Sequence, residues 1–222
     1  MNEIRAVLFD LDNTILDRTL TFAQFTHSFL ATYFSHSDRM EGIFARIIEL
    51  DQDGYKDKQE LFAELLDELP WRSKPALNEL LEFYRVEYVK NAVLMDEARK
   101  VLSHMRRKYL TGLITNGRTD IQYGKIDRLG IRDEFDVILV SEEAGVKKPD
   151  PRIFNMALDR LRLQPRECVF VGDHPSKDIN GAAQVGMKTI WIQVNQRWPE
   201  ELRLAPNHTI RHLTELLEVL HA

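Results

Sequence analysis

The chain has 222 residues, with 30 Lys+Arg against 35 Asp+Glu and a formal net charge of −5. That length suits one large domain or one domain carrying an insertion, and 44% hydrophobic with 29% charged residues is ordinary globular composition. The acidic balance argues against a sequence-independent nucleic-acid binder, which needs a basic face, and no apolar run approaches the roughly 20 residues that cross a bilayer. The N-terminal Met-Asn-Glu-Ile-Arg runs directly into a strand pattern without a leader signature, and the single cysteine, Cys168, can form no internal disulfide. The expectation is a cytoplasmic α/β protein.

The first apolar run, residues 4–9, reads as a buried strand. From about Thr19 to Asn91 the pattern changes to helical spacing. Phe22, Phe25, Phe29 and Phe34 form one set; Ile43, Ile47 and Leu50 the next; then Leu61, Leu65 and Leu69; then Leu77, Leu80, Leu81, Tyr84 and Tyr88. Turns are expected at Asp51-Gln52-Asp53-Gly54 and around Trp71, between Pro70 and Pro75. More than seventy residues exceed a single crossover, so this stretch reads as a helical unit inserted into the α/β domain. Four further strands follow at residues 110–114, 137–140, 168–171 and 189–194, alternating with helical patterns. One helix precedes Leu110 and ends in Met105-Arg106-Arg107-Lys108, another begins near Ile153, and Leu213, Leu216, Leu217 and Leu220 read as a last helix. Such alternation predicts a doubly wound parallel sheet covered on both faces.

The polar residues at the strand ends carry the chemistry. Asp10 and Asp12 follow the first strand, where ligands of open α/β sheets gather, and alternation points both carboxylates to one side. Thr115-Asn116-Gly117 closes the second strand with a hydroxyl, an amide and an unobstructed backbone, a set suited to an anion. Lys147 and Lys148 stand in a rigid loop before Pro149, and Asp173 and Asp178 follow the fourth strand. Each segment alone also suits a solvated turn. Together they bring four carboxylates, one or two lysines and a hydroxyl to one rim. Uncompensated, these carboxylates would repel, and Mg²⁺ with direct carboxylates, waters and a substrate phosphate resolves the conflict. The chemistry implied is phosphoryl transfer.

Asp10-Leu11-Asp12-Asn13-Thr14, Thr115-Asn116-Gly117, Lys148-Pro149 and Gly172-Asp173 with Asp178, in this order and at these strand ends, resemble the four motifs of the haloacid dehalogenase-like hydrolase superfamily. The resemblance covers nearly the whole chain. It implies a Rossmann-like core (residues 1–17 and 93–222) and a helical C1 cap (18–92). By similarity Asp10 would be the nucleophile that becomes an aspartyl phosphate, and Asp12 the acid that protonates the leaving group and then the base that activates water. Mg²⁺ would be held by Asp10, the Asp12 backbone carbonyl and Asp173. Asp178 would stand behind these ligands or orient Lys148. Thr115, the Asn116 and Gly117 backbone, and Lys148 would bind the phosphoryl oxygens, Lys148 being preferred to Lys147 because the family's lysine directly precedes proline. Asn13 stands where many relatives have Gly, but Asn also tolerates unusual backbone angles. His174 receives no catalytic role.

Other motifs fail on spacing. Asp51-Gln52-Asp53-Gly54 puts Gly at the fourth position of a calcium loop, where the sixth is required. Gly117 and Gly124-Lys125 have the wrong spacing for a P-loop. His208 and His212 lack the Glu of a zinc-protease helix, and Cys168 sits inside a buried strand. The expected activity is a Mg²⁺-dependent phosphatase on a small phosphate monoester, with a sugar-phosphate mutase as the nearest rival. A 2-haloacid dehalogenase is disfavoured because relatives of that kind lack the second Asp and the metal site. A non-catalytic binding module has no use for an acid two residues from a nucleophile. The expected partner is a small phosphorylated molecule, with neither a nucleic-acid polymer nor a membrane, and oligomeric state is not encoded legibly. In the resembling family the cap reads the leaving group, so Arg18, Arg46, Lys56, Arg72, Phe22, Phe25 and Trp71 are candidates for substrate contact, although each suits surface charge or the core of the helical unit better.

Overall fold

The computed structural model describes residues 4–202 and 204–220, so Met1–Glu3, part of the N-terminal stretch read above, lie outside the described residues. Strand β1 (Ala6–Phe9) is four consecutive buried apolar residues, the pattern of a strand covered on both faces. A tight turn follows, in which the N–H groups of Ile15 and Leu16 donate to the Leu11 carbonyl at 2.9 and 2.8 Å. Asn13 holds this turn at φ 59°, in the left-handed region that Asn tolerates better than most residues. The chain divides here into two compact units, one running up to Asp17 and resuming at Leu94, the other Arg18–Val93. Leu16 pairs with Leu94, and Met95 N–H donates to Ile15 O at 2.8 Å, so the chain leaves and re-enters the first unit at adjacent points.

The second unit is helical: α1 (Arg18–Tyr33), α2 (Met40–Asp51), α3 (Lys58–Glu68) and α4 (Leu77–Lys90). Phe22, Phe25 and Phe29 along α1 are buried with Phe62, Tyr84 and Tyr88; the phenylalanine rings meet these partners tilted or edge-on, and Tyr84 stacks on Tyr88. Between α2 and α3 the chain reverses through three successive left-handed residues, Gln52, Asp53 and Gly54. The buried Asp51 carboxylate at this turn takes Arg18 at 2.6 Å and Lys58 at 2.8 Å. Asp57 then caps α3 by accepting from the N–H groups of Gln59 and Glu60.

The first unit continues with α5 (Ala98–Arg106), β2 (Leu110–Thr115), α6 (Thr119–Leu129), β3 (Val137–Val140), α7 (Ser141–Ala144), α8 (Pro151–Leu161) and β4 (Cys168–Gly172). It closes with a π-helical stretch (Pro175–Asn180), α9 (Gly181–Gln184), β5 (Lys188–Ile192), β6 (His208–Ile210) and α10 (Leu216–Val219). All six strands are parallel, in the order β3-β2-β1-β4-β5-β6, with helices on both sides. On one face Ala6, Leu8, Ile114, Val137, Leu139, Cys168 and Phe170 pack against Ile153, Phe154, Ala157 and Leu158 of α8. Burial pushes the Cys168 thiol up to about 12, which keeps it an inert part of this core.

The order reverses between β1 and β4, where a doubly wound sheet opens a crevice at its carboxyl edge. Two features at the C-terminal end differ from the sequence reading. A strand not expected from the sequence, β6, starts at His208, and the leucine-spaced tail is a short 3₁₀ turn followed by α10. A three-residue strand in which only Ile210 is buried carries no apolar run to betray it. Among the described residues no helix is long and apolar enough to cross a membrane.

The Asp51 pair gives a test of the helical unit. Asp51→Ala strands two cations around a buried site, and chemical denaturation is expected to show a loss of about 3 kcal/mol. Arg46→Ala, which breaks exposed pairs with Glu49 and Glu68, is expected to leave the unfolding midpoint unchanged.

Candidate active site

The ends of β1 and β4 deliver the central residues. Asp10 is the first residue after β1, and its N–H donates to Val171 O at 2.9 Å, which extends the β1–β4 pairing to the carboxylate itself. Asp173 follows β4 directly, and its carbonyl accepts from the Trp191 indole at 2.7 Å. Asp178 lies in the π-helical stretch and folds back so that its Oδ2 accepts from His174 N–H at 3.0 Å. Gly172 makes that return possible, because a Cβ there would stand 2.6 Å from the Asp178 side chain. Asp10, Asp173 and Asp178 thereby place one oxygen each within 4.8 Å of one another, all three buried.

Lys148 enters this cluster from the loop before α8. Its ammonium lies 2.5 Å from Asp10 Oδ1 and 2.7 Å from Asp178 Oδ1. The Lys148–Pro149 peptide is cis. The backbone of Lys148 is held by the Asn116 side chain, whose Oδ1 accepts from Lys148 N–H at 2.9 Å and whose Nδ2 donates to Lys148 O at 3.0 Å. Asn116 therefore uses its side chain to fix the lysine. Gly117 N–H donates to Ser141 Oγ at 3.0 Å, and Thr115 Oγ1 accepts from Gln122 Nε2 at 2.5 Å.

Burial, helped by the Asp178 and Asp12 charges and opposed by the Lys148 ammonium, leaves the Asp10 carboxyl raised to about 7. Asp173 is raised well above the carboxylate range by burial and then by Asp178 and Asp10. Burial opposes the charge of Lys148, yet Asp10 and Asp178 more than offset this and hold its ammonium above the usual lysine range. One ammonium among three carboxylates leaves the cluster short of positive charge. An all-oxygen donor set with that deficit fits a hard divalent cation.

Asp12 points elsewhere. Its two carboxylate oxygens each lie 2.7 Å from Lys125 Nζ, and Oδ2 also accepts from Gln122 Nε2 at 3.0 Å. The carboxylate that completes the buried trio is thus Asp178, and the expectation that Asp12 contributes to a metal can concern only its backbone oxygen. The sequence reading missed both Gln122 and Lys125. They lie three apart on α6, and with Ile126 and Leu129 they form its buried face. The register set by those two apolar residues is the signal that places them inside.

The other candidates have structural work. His174 caps the π-helical stretch, its Nδ1 accepting from Ser176 and Lys177 N–H, and burial with Lys177 nearby lowers its pKa. In the helical unit Phe22 and Phe25 are core, and Trp71 packs on Phe29, Tyr33 and Phe34 while its indole donates to Leu65 O. Arg46 pairs with Glu49, Glu64 and Glu68, and Lys56 with Glu64. Arg18 pairs with Asp51 and Asp53, and Arg72 is exposed.

Three carboxylates and a lysine gathered at the switch point of a doubly wound sheet define a candidate active site of an α/β protein. The haloacid dehalogenase-like hydrolase family matches residues 4–186, and the chain belongs to it. It is similar to a glyceraldehyde 3-phosphate phosphatase of Pyrococcus furiosus, at 31% identity covering 99% of this chain and 94% of the relative. It is also similar to a phosphoserine phosphatase of Thermus thermophilus, at 34% identity covering 72% of this chain and 63% of that one. Among solved structures, the magnesium-bound HAD-hydrolase YfnB of Bacillus subtilis superposes over the whole of both chains with a TM-score of 0.84 at 25% identity.

The charge deficit gives a direct test. Adding MgCl₂ to about a hundred times its dissociation constant is expected to stabilise the folded protein by about 2.7 kcal/mol, a rise of roughly 5–10 °C in melting temperature. Asp173→Asn is expected to flatten that response, which differential scanning fluorimetry reads directly.

Proposed function

We propose that the chain is a Mg²⁺-dependent phosphatase that hydrolyses a small phosphate monoester through an aspartyl phosphate on Asp10. The observation that carries this reading is the contrast between two carboxylates of one strand end. Asp10 is buried against Lys148 and two further carboxylates, while Asp12, two residues on, is turned onto a separate set of donors. A nucleophile and an acid/base need such different surroundings. Membership of the hydrolase family and the phosphatase names of the relatives support the same conclusion.

The residues divide the reaction as follows. An Asp10 oxygen attacks phosphorus, the ester P–O bond breaks, and Asp12 gives its proton to the departing oxygen. Asp12, now a carboxylate, takes a proton from water as the water oxygen attacks the phosphorus of the aspartyl phosphate, and phosphate leaves Asp10. Thr115, the Asn116 and Gly117 backbone, and Lys148 hold the phosphoryl oxygens, with Gly117 N–H exchanging Ser141 for the substrate. Mg²⁺, held by Asp10, Asp173 and the Asp12 carbonyl, would neutralise phosphoryl charge in the transition state. Asp178 keeps the Lys148 ammonium aimed at Asp10.

Hydrolysis of p-nitrophenyl phosphate tests the scheme. Turnover is expected with Mg²⁺, none with excess EDTA, and none above background for Asp10→Asn. Lys148→Ala is expected to lower kcat by about 10²–10³-fold, as for the loss of one transition-state donor. Full activity in Asp10→Asn would overturn the mechanism.

A further inference from the structure

We propose that Gln122 and Lys125 of α6 are positioning residues that fix the Asp12 carboxylate in the orientation from which it transfers its proton, an inference that rests on reading Asp12 as the general acid and base. Lys125 Nζ contacts both Asp12 oxygens at 2.7 Å, and Gln122 Nε2 contacts one of them at 3.0 Å. Two donors on two oxygens remove the freedom of the carboxylate to turn about its terminal bond. The same Gln122 amide reaches Thr115 Oγ1 at 2.5 Å and Asn116 O at 3.2 Å. It therefore ties Asp12 to the segment that holds the phosphoryl oxygens, and sets the distance between proton donor and phosphate.

The burial is asymmetric. The Lys125 side chain is 2% exposed while that of Asp12 is 25% exposed. A buried ammonium beneath a partly exposed carboxylate is not explained by core stability alone, since a buried ion pair is weak evidence for stabilisation. It is an effective way to aim a carboxylate at a ligand, because the lysine approaches from the protein side and leaves the outer face to the substrate. The backbone agrees. Gly117 has φ 147°, and a Cβ there would stand 2.9 Å from Gln122 Cδ, so the glycine of the second motif makes room for this amide.

The test compares two esters of similar shape, phenyl phosphate and p-nitrophenyl phosphate. Phenoxide is the more basic leaving group and gains more from protonation as it departs. Because kcat/KM reports steps up to loss of the leaving group, it isolates the acid role of Asp12 from its later role as base. Asp12→Asn is expected to lower kcat/KM for phenyl phosphate by about tenfold or more beyond its effect on the nitrophenyl ester. Lys125→Met and Gln122→Met are expected to show the same preference to a smaller degree, with the MgCl₂-induced melting shift retained. Lys125→Arg, which keeps a cation, is expected to restore the wild-type ester ratio. If Asp12→Asn slows both esters equally, the acid role fails and the proposal falls with it. If Asp12→Asn separates the esters while Lys125→Met and Gln122→Met slow both equally or neither, the positioning role alone is overturned. Should Lys125→Met fail to fold, Gln122→Met, which preserves the Lys125–Asp12 pair, carries the same comparison, and an unchanged ester ratio there overturns the proposal.

Discussion

The mutual repulsion of Asp10, Asp173 and Asp178 is the constraint on which the rest of the site depends. Three buried carboxylates within 4.8 Å are unstable together, and Lys148 offsets only one of their charges. The fold answers by making each member rigid. Asp10 is pinned through its backbone to β4, Asp173 through its carbonyl to Trp191, Asp178 through His174 and the bare face of Gly172, and Lys148 through the side chain of Asn116. Rigid like charges cannot relax apart, so the site holds a standing attraction for a cation. Preorganisation of this kind is what transition-state electrostatics require.

The parts of this design that the sequence made legible are those written in contiguous residues. β1 to β5 stood out because buried parallel strands are largely apolar runs, and the strand ends then located Asp10, Asp173 and Thr115 without reference to packing, while Lys148 was singled out in the loop before Pro149 by the family resemblance. β6 was not legible, since His208 and Thr209 are exposed and only Ile210 faces inward. Gln122 and Lys125 were missed for a different reason. Single polar residues on an amphipathic helix usually belong to its wet face, and only the register of Ile126 and Leu129 puts these two on the buried one. Buried polar groups at core positions of a helix are where local pattern and function part company.

The helical unit shows the converse. The helical spacing of its aromatic residues already favours a core role, and Phe22, Phe25, Phe29, Phe62, Tyr84 and Tyr88 do pack on one another, with Trp71 on Phe29. Most of its cations are committed as well, Arg18 and Lys58 to Asp51 and Arg46 to its glutamates. Aromatic spacing at helical period measures core formation before it measures binding.

Separating Asp10 from Asp12 is a geometric problem as much as an electrostatic one. Side chains two apart on an extended chain point the same way, and left so both carboxylates would join the buried cluster. The chain avoids this by ending the strand at Phe9 and turning at once, with Leu11 O collecting the N–H groups that follow and Asn13 in the left-handed region. Asp12 then meets α6 while Asp10 meets β4 and Lys148. Lys148 pairs with the first carboxylate of the motif and Lys125 with the second. On the proposed mechanism, that division lets a single strand end carry both the nucleophile and the proton donor.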